Sequence, residues 1–136
     1  MINTRITWPI LSLILPTPTF AQVLLDGTSF QCDTNAQEVV VTPIRSDSSC
    51  SSFHICIPAR VPLHMHLTHT EHVMVLSGSG IMRLGNERIE IDAGDLVVIP
   101  AGAPHAVEVS DGGTLQVISI QAPYFDGSDR VLLPEE

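Results

Sequence analysis

The sequence predicts a single all-β domain, built as a sandwich or a barrel. Ten Pro and nine Gly are spread through its 136 residues, and short runs of β-branched or apolar residues lie between them. Short strands at regular spacing, separated by turn residues, are typical of these two architectures. A chain of this length with 44% apolar residues can enclose one sizeable core, and this composition excludes an intrinsically disordered protein.

Nine strands are predicted along the chain, each from a run rich in β-branched or apolar residues. They cover residues 39–44, 53–57, 63–67, 72–76, 81–84, 88–91, 96–99, 106–109 and 115–120. Turn-forming residues stand between the runs, as in Gly85-Asn86 and Gly94-Asp95. We expect residues 22–49 to form an N-terminal arm and strand, residues 50–123 the barrel, and residues 124–136 a C-terminal tail.

Residues 1–21 have the pattern of a secretory signal peptide. Arg5 precedes an apolar run over residues 6–15, and Thr19-Phe20-Ala21 offers small residues where a signal peptidase cleaves, before Gln22. The run is too short to span a bilayer stably, although it could be retained as an interfacial anchor. We therefore expect an exported protein, periplasmic or secreted, with no stable membrane association after cleavage.

The charge balance restricts the partners. Six Lys and Arg residues stand against fifteen Asp and Glu residues, which gives a net charge of −9 at neutral pH. Binding to nucleic acid or to an anionic membrane requires clustered cations, so neither is the expected partner. A small molecule fits this composition better.

Three cysteines remain after the predicted cleavage, namely Cys32, Cys50 and Cys56. In an extended segment Cys50 and Cys56 lie roughly 20 Å apart, beyond the reach of a disulfide bond. We prefer a bond between Cys32 and Cys50, with Cys56 as a buried free thiol between two isoleucines. The alternative is that all three stay reduced, and no pair has the spacing of a redox or zinc motif.

Three histidines and one glutamate form a candidate metal site. His64 and His66 are two residues apart, so a strand sends both side chains to the same face. Glu71 begins the next apolar run, and His105 precedes a later one. Three imidazoles and a carboxylate suit one divalent ion (Zn, Mn, Fe, Ni or Cu) and leave two octahedral positions for water or substrate. The alternative is a set of surface histidines at strand ends.

Glycines and prolines at fixed intervals strengthen the metal hypothesis. The segments are His64-x-His66-x₄-Glu71-x₆-Gly78 and Gly94-x₅-Pro100-x-Gly102-x₂-His105. Together they resemble both halves of the signature of the cupin family, over roughly residues 50–123. The resemblance implies a small single-domain cupin, an antiparallel β-barrel or double-stranded β-helix of the jelly-roll type, with these His and Glu residues as metal ligands. Pro58 and Val109 depart from the family pattern at positions that are not ligands.

Seven other polar residues are weaker candidates for the site. His69 lies between the ligands and could reach the barrel rim, whereas His72 must face away from Glu71 and His54 fits an ordinary hydrogen-bonded strand position. The other four could line a pocket, but a solvated face explains each of them more simply; they are Arg83, Arg88, Gln116 and Tyr124.

The resemblance does not specify a reaction, because cupins include oxygenases, isomerases, decarboxylases, lyases and binding proteins. The first hypothesis is a metal-dependent enzyme acting on a small oxygen-rich molecule that chelates the ion. The second is a non-enzymatic module that binds a metal or small ligand. No proton-transfer residue is evident beyond the ligands, so no catalytic residue is assigned and enzymatic activity stays open. A purely structural barrel fits poorly with four intact ligands.

Two predicted strands are apolar on both faces. Val73 and Val75 share a face with Glu71, yet Met74 and Leu76 on the other face are also apolar, and residues 96–99 show the same property. A strand with one face in water would alternate with polar residues, so both strands are expected to be covered. The cover is either the N-terminal arm or a second copy of the chain, and we favour a homodimer.

Overall fold

The computed structural model describes residues 24–110 and 112–134. Within them the chain forms a short 3-10 helix at Gly27–Ser29 and ten strands. The strands are β1 (Val40–Ser46), β2 (Ser51–Ile57), β3 (Arg60–His66), β4 (Thr70–Ser77), β5 (Ser79–Leu84), β6 (Glu87–Asp92), β7 (Leu96–Ile99), β8 (His105–Val109), β9 (Leu115–Ala122) and β10 (Arg130–Leu132). The predicted all-β class is confirmed, and each of the nine predicted runs coincides with one of β1 to β9.

The strands form two five-stranded sheets packed face to face. Their orders are β1-β2-β9-β4-β7 and β10-β3-β8-β5-β6, and the paired strands are antiparallel. β1 and β10 are therefore edge strands, one in each sheet.

Alternation along the strands builds the core between the sheets. In β9, Leu115 and Val117 are buried while Gln116 and Ile118 lie on the other face. The most deeply buried apolar side chains come from both sheets and include Val75, Ile91, Ile99 and Leu115. This interior layer also contains the buried side chains of His64, His66, Glu71 and His105.

Gly78 illustrates why the turn positions require glycine. Its φ is +81°, and a Cβ built there would lie 2.4 Å from the carbonyl oxygen of Thr114. Backbone atoms cannot move away from such a contact without shifting β9, so a side chain is excluded. The close approach holds the β4–β5 connection against the start of β9.

The predicted disulfide bond is wrong. Cys32 bonds to Cys56 across 5.7 Å between Cα atoms, and Cys50 is free. Ile55 and Ile57 face the interior, so the residue between them faces outward, where the arm lies. Phe30 stacks on His54 at 5.1 Å between ring centroids, which brings the arm across β2 and places Cys32 beside Cys56.

The segment predicted as a C-terminal tail contains β10, which pairs with β3 through Arg130 opposite His66 and Leu132 opposite His64. β10 has only three residues and follows a turn-rich stretch, so its sequence shows no recognisable alternation of polar and apolar residues. The predicted signal peptide lies outside the described residues. Among those that are described, no helix is long and apolar enough to cross a membrane.

Candidate functional site

The structure brings the four predicted ligands together inside the barrel. We call them the His/Glu cluster: His64, His66, Glu71 and His105. All four are buried, and one ligand-type atom from each lies within 4.8 Å of the others. The β3–β8 pairing places His64 directly opposite His105, and β4 in the facing sheet supplies Glu71. Residues far apart in the sequence thus meet because they lie on the inner faces of opposing sheets.

Two imidazoles of the cluster, those of His64 and His105, are oriented through their Nδ1 atoms. His64 Nδ1 donates to the carbonyl oxygen of Pro62 at 2.8 Å, and His105 Nδ1 donates to that of Ala103 at 2.9 Å. His66 Nδ1 lies 3.5 Å from Asp129 Oδ1, and no hydrogen bond joins these two atoms. A proton held on Nδ1 leaves the Nε2 lone pair free, which is the arrangement found in metal-ligating histidines.

Glu71 presents one oxygen to the histidines and fixes the other. Its Oε2 lies 3.6 Å from His66 Nε2 and 3.3 Å from His105 Nε2. Its Oε1 accepts hydrogen bonds from Ser119 and Gln121. Burial alone would raise the pKa of Glu71, but the adjacent rings of His105 and His66 and the hydrogen bond from Ser119 hold it well below its usual range. The side chain is therefore a carboxylate at neutral pH.

The donor set fits a divalent metal ion. Burial and the neighbouring His105 lower the pKa of His64 to about 4, so this imidazole is neutral at neutral pH. His105 Nε2 is buried with no hydrogen-bond partner in the described part of the chain, and a coordinated ion would satisfy it. Neutral imidazoles and one carboxylate are the ligands that first-row divalent ions accept.

Asp129 supports the cluster from outside and was not recognised in the sequence. Its Oδ2 accepts hydrogen bonds from the backbone and hydroxyl of Thr68, both at 2.9 Å, and from His69 Nδ1. Hydrogen bonds from His69 and Thr68 outweigh the effect of burial and hold the pKa of Asp129 well below its usual range. Its other oxygen, Oδ1, faces His66. A carboxylate behind a ligating imidazole is a common arrangement at metal centres.

His69 is buried, and its side chain links this region through hydrogen bonds. Besides its bond to Asp129, its Nε2 donates to the carbonyl oxygen of Tyr124 at 2.6 Å. Burial lowers the pKa of His69, but these two hydrogen bonds raise it above its usual value overall. Both ring nitrogens are occupied, so His69 has no atom left for a substrate. The ring of Phe125 packs edge-on against both His66 and His69.

Ser119 and Gln121 were also missed, although the sequence carried a signal for them. Both occupy inward positions of β9, alternating with outward residues, in a strand that is otherwise apolar on that face. A polar residue at an inward position needs a partner, and here the partner is Glu71. Two such residues at consecutive inward positions indicate a polar site at that end of the strand.

A cavity of about 400 Å³ lies between the sheets and includes the cluster. Its other walls are mostly aliphatic, with side chains such as Ile57, Val73 and Val117. Among the described residues the only further polar linings are Gln121 and Arg130. This volume is at the small end of the range for ligand pockets, about 300–1,000 Å³.

The weaker candidates lie away from the cavity. Gln116 faces outward and donates to His54 Nε2 at 2.8 Å, and His72 lies on the same outer face. Arg88 pairs with Glu108 at 3.3 Å, Arg83 donates to the carbonyl oxygen of Gly85, and half of the Tyr124 surface is exposed. His54 is a hydrogen-bonded strand residue, as predicted.

Cys32, His54 and Cys56 form a second cluster of potential ligand atoms. The two sulfur atoms are bonded to each other, so neither is a thiolate. This cluster therefore connects the arm to β2 and offers no metal site in the disulfide form.

Comparisons with known proteins agree with the fold. A family model described as the cupin domain matches residues 53–121. The chain is 31% identical over 77 residues to the uncharacterised protein MJ1618 of Methanocaldococcus jannaschii, covering 57% of this chain and 62% of that protein.

Among solved structures, a double-stranded β-helix protein of Klebsiella pneumoniae superposes with a TM-score of 0.71 at 17% identity, covering 85% of this chain and all of that one. A variant of Streptomyces PAC13 with uridine superposes with a TM-score of 0.64 at 19% identity, covering 74% of this chain and 82% of that one.

Proposed function

The chain belongs to the cupin domain family, and on that basis we propose that it is an exported protein that holds one divalent metal ion at the His/Glu cluster. We propose further that it acts on a small oxygen-rich molecule chelated at that site. The observation that carries this function is the convergence of four buried ligand atoms within 4.8 Å, with the imidazoles of His64 and His105 already oriented by backbone carbonyls. Such pre-organisation reduces the entropy lost when a ligand set closes on an ion.

The residues of the cavity would have three roles. The cluster would hold the ion, which when bound supplies Lewis-acid polarisation of an oxygen ligand. Ser119 and Gln121 keep Glu71 aimed at the centre, and the aliphatic walls exclude bulk water. A small ligand is consistent with the family, since PAC13 has been crystallised with uridine.

A binding module without catalytic activity is the second candidate. Beyond the cluster, the polar cavity linings among the described residues are Gln121 and Arg130, and neither exchanges protons readily near neutral pH. Calorimetric titration of metal-free protein tests the shared premise, with one ion per chain expected. Turnover assays of the loaded protein, with and without oxygen, then separate the candidates, because a module binds its ligand without consuming it.

Asp129 is expected to affect the metal through His66. Asp129→Asn removes the charge that faces His66 Nδ1, and loss of such a carboxylate lowers metal affinity by about 10–100-fold. The measurement is the dissociation constant for zinc, taken with the unfolding midpoint so that affinity and stability are separated.

Thr68→Val is the matched control, because the Thr68 hydroxyl binds the Asp129 oxygen that faces away from His66. It should lower stability slightly and leave zinc affinity within about 2-fold, since a single neutral hydrogen bond contributes little. Equal losses of affinity in the two variants would show that Asp129 acts only through packing.

Export rests on residues 1–21 and bears on which metal is acquired. When the protein folds outside the cytoplasm, the affinity of the site for each ion decides which metal it acquires. This affinity is higher for Cu and Zn than for Fe and Mn. Expression with and without residues 1–21 should therefore give different metal contents by elemental analysis. Identical Fe or Mn occupancy in both samples would contradict this dependence on the compartment.

We also propose a homodimer formed through the outer face of the β4–β7 region. The arm crosses β2 and β9, where Phe30 and Cys32 are held, and leaves the apolar side chains of β4 and β7 exposed. A second copy is the occupant we favour, because the exposed side chains of the patch, Met74, Leu76, Leu96 and Val98, are apolar.

A further inference from the structure

We propose that the cavity selects a small hydroxy- or oxo-carboxylate with an apolar body, so that the ligand's oxygens are confined to one end. This rests on the proposed function and narrows its substrate class to molecules whose oxygens all lie at the end that chelates the ion. The inference follows from how the polar and apolar groups are distributed around the cavity.

The wall beyond the His/Glu cluster is apolar on both sheets. It is formed by residues such as Ile55, Ile57 and Val117 on one side, and Val61, Met82 and Val107 on the other. Hydroxyl groups placed against these walls would lose their hydrogen bonds to water without replacement. A sugar-like molecule, with oxygens along its whole length, is therefore disfavoured, whereas a hydrocarbon body gains from being buried there.

The mouth of the cavity lies between β1 and the β3–β10 pair. Three lining residues are exposed, namely Val41 on β1, Pro62 on β3 and Arg130 on β10. β1 and β10 are edge strands of opposite sheets. A ligand can enter past these exposed lining residues of the two edge strands, without opening either sheet.

Arg130 is the one cation that lines the cavity in the described part of the chain. No described carboxylate lies within ion-pair distance of it. Arg130 is paired with His66 across β10 and β3, which places it beside the cluster. A guanidinium close to the cluster at the mouth, with no described carboxylate within ion-pair distance, is suited to a ligand carboxylate.

These features define one ligand orientation. The head, with a carboxylate and an adjacent oxygen, lies between Arg130 and the cluster, and the body lies against the aliphatic wall. The protein is acidic overall and therefore repels anions in general. The positive charge of Arg130 at the cavity offsets this repulsion locally, so that an anionic ligand can bind there.

Four probes test this by calorimetric titration into the full protein, once metal-free and once zinc-loaded. Phenyllactate has both the head and the apolar body. Lactate lacks the body, phenyllactamide lacks the negative charge, and gluconate carries oxygens along its length. We expect phenyllactate to bind the loaded protein at least ~30-fold more tightly than lactate or gluconate, from burial of the ring. Phenyllactamide should bind about 5-fold more weakly than phenyllactate, as expected for a partly exposed charge pair.

Arg130→Gln should lower phenyllactate affinity about 5-fold and leave phenyllactamide affinity unchanged. Arg88→Gln is the matched control, because Arg88 is exposed on β6 at the opposite edge of the same sheet and does not line the cavity. It should leave both affinities unchanged.

The outcomes separate this inference from the proposed function. If zinc binds with one ion per chain but gluconate or lactate binds as tightly as phenyllactate, or no probe binds, the ligand class is wrong and the metal site stands. If phenyllactate is preferred in the absence of any metal binding, the ligand class stands and the metal function fails. An unchanged phenyllactate affinity in Arg130→Gln would show that Arg130 does not bind the carboxylate of the ligand.

Discussion

Replacing both His64 and His66 by Ala is expected to abolish stoichiometric metal binding. Removal of a group that only supports a ligand costs about 10–100-fold in affinity, so loss of a direct ligand should cost at least ~100-fold. The double variant retains only Glu71 and His105 from the cluster, which is too few to retain the ion through dialysis. Elemental analysis of the purified variants against the unaltered protein measures this directly.

His72→Ala is the control for this variant. His72 is on the same strand as Glu71 but on the outer face, beside Val98 and Ile120, so its loss should leave one ion per chain. Circular dichroism of all variants verifies that the barrel is intact. Stoichiometric metal in the double variant would show that the cluster is not the metal site.

The strands and the cluster were predictable because they depend on local pattern. Period-2 alternation determines which residues share a face, so the spacing of His64 and His66 predicts that both point to the same side of their strand. The intervals to Glu71 and His105, with glycines at the turns, then identified a known family pattern. These features do not require knowledge of how distant segments pack.

The disulfide bond and Asp129 were not predictable, because both depend on where a segment without periodicity is placed. Cys56 was expected to be a buried thiol because isoleucines flank it, yet alternation turns it toward the arm. Asp129 lies in a turn-rich stretch with no pattern of its own. Only the pairing of β10 with β3 brings it behind His66.

Lysine substitutions on the outer face of β4 and β7 are expected to disrupt the proposed subunit contact. Met74, Leu96 and Val98 are 38%, 54% and 47% exposed and are neighbours on the outer face of β4 and β7. Val97, by contrast, faces the interior opposite Val73, so a substitution there would test folding instead of association. Met74→Lys with Val98→Lys should convert a dimer to a monomer at micromolar concentration, because burying two unpaired ammonium groups per subunit costs several kcal/mol.

Light scattering on the chain from residue 22 onward measures the mass of both proteins. The unaltered protein should have the mass of two chains and the double variant that of one, with little change in unfolding midpoint beyond the loss of the contact. Leu24→Lys with Leu132→Lys is the matched control, since both leucines are exposed and Leu132 is on the opposite sheet; it should stay dimeric. A monomeric unaltered protein would show that the apolar face of β4 and β7 is not a subunit contact. The arm does not cover that face, so in a monomer these two strands would expose their apolar side chains to water.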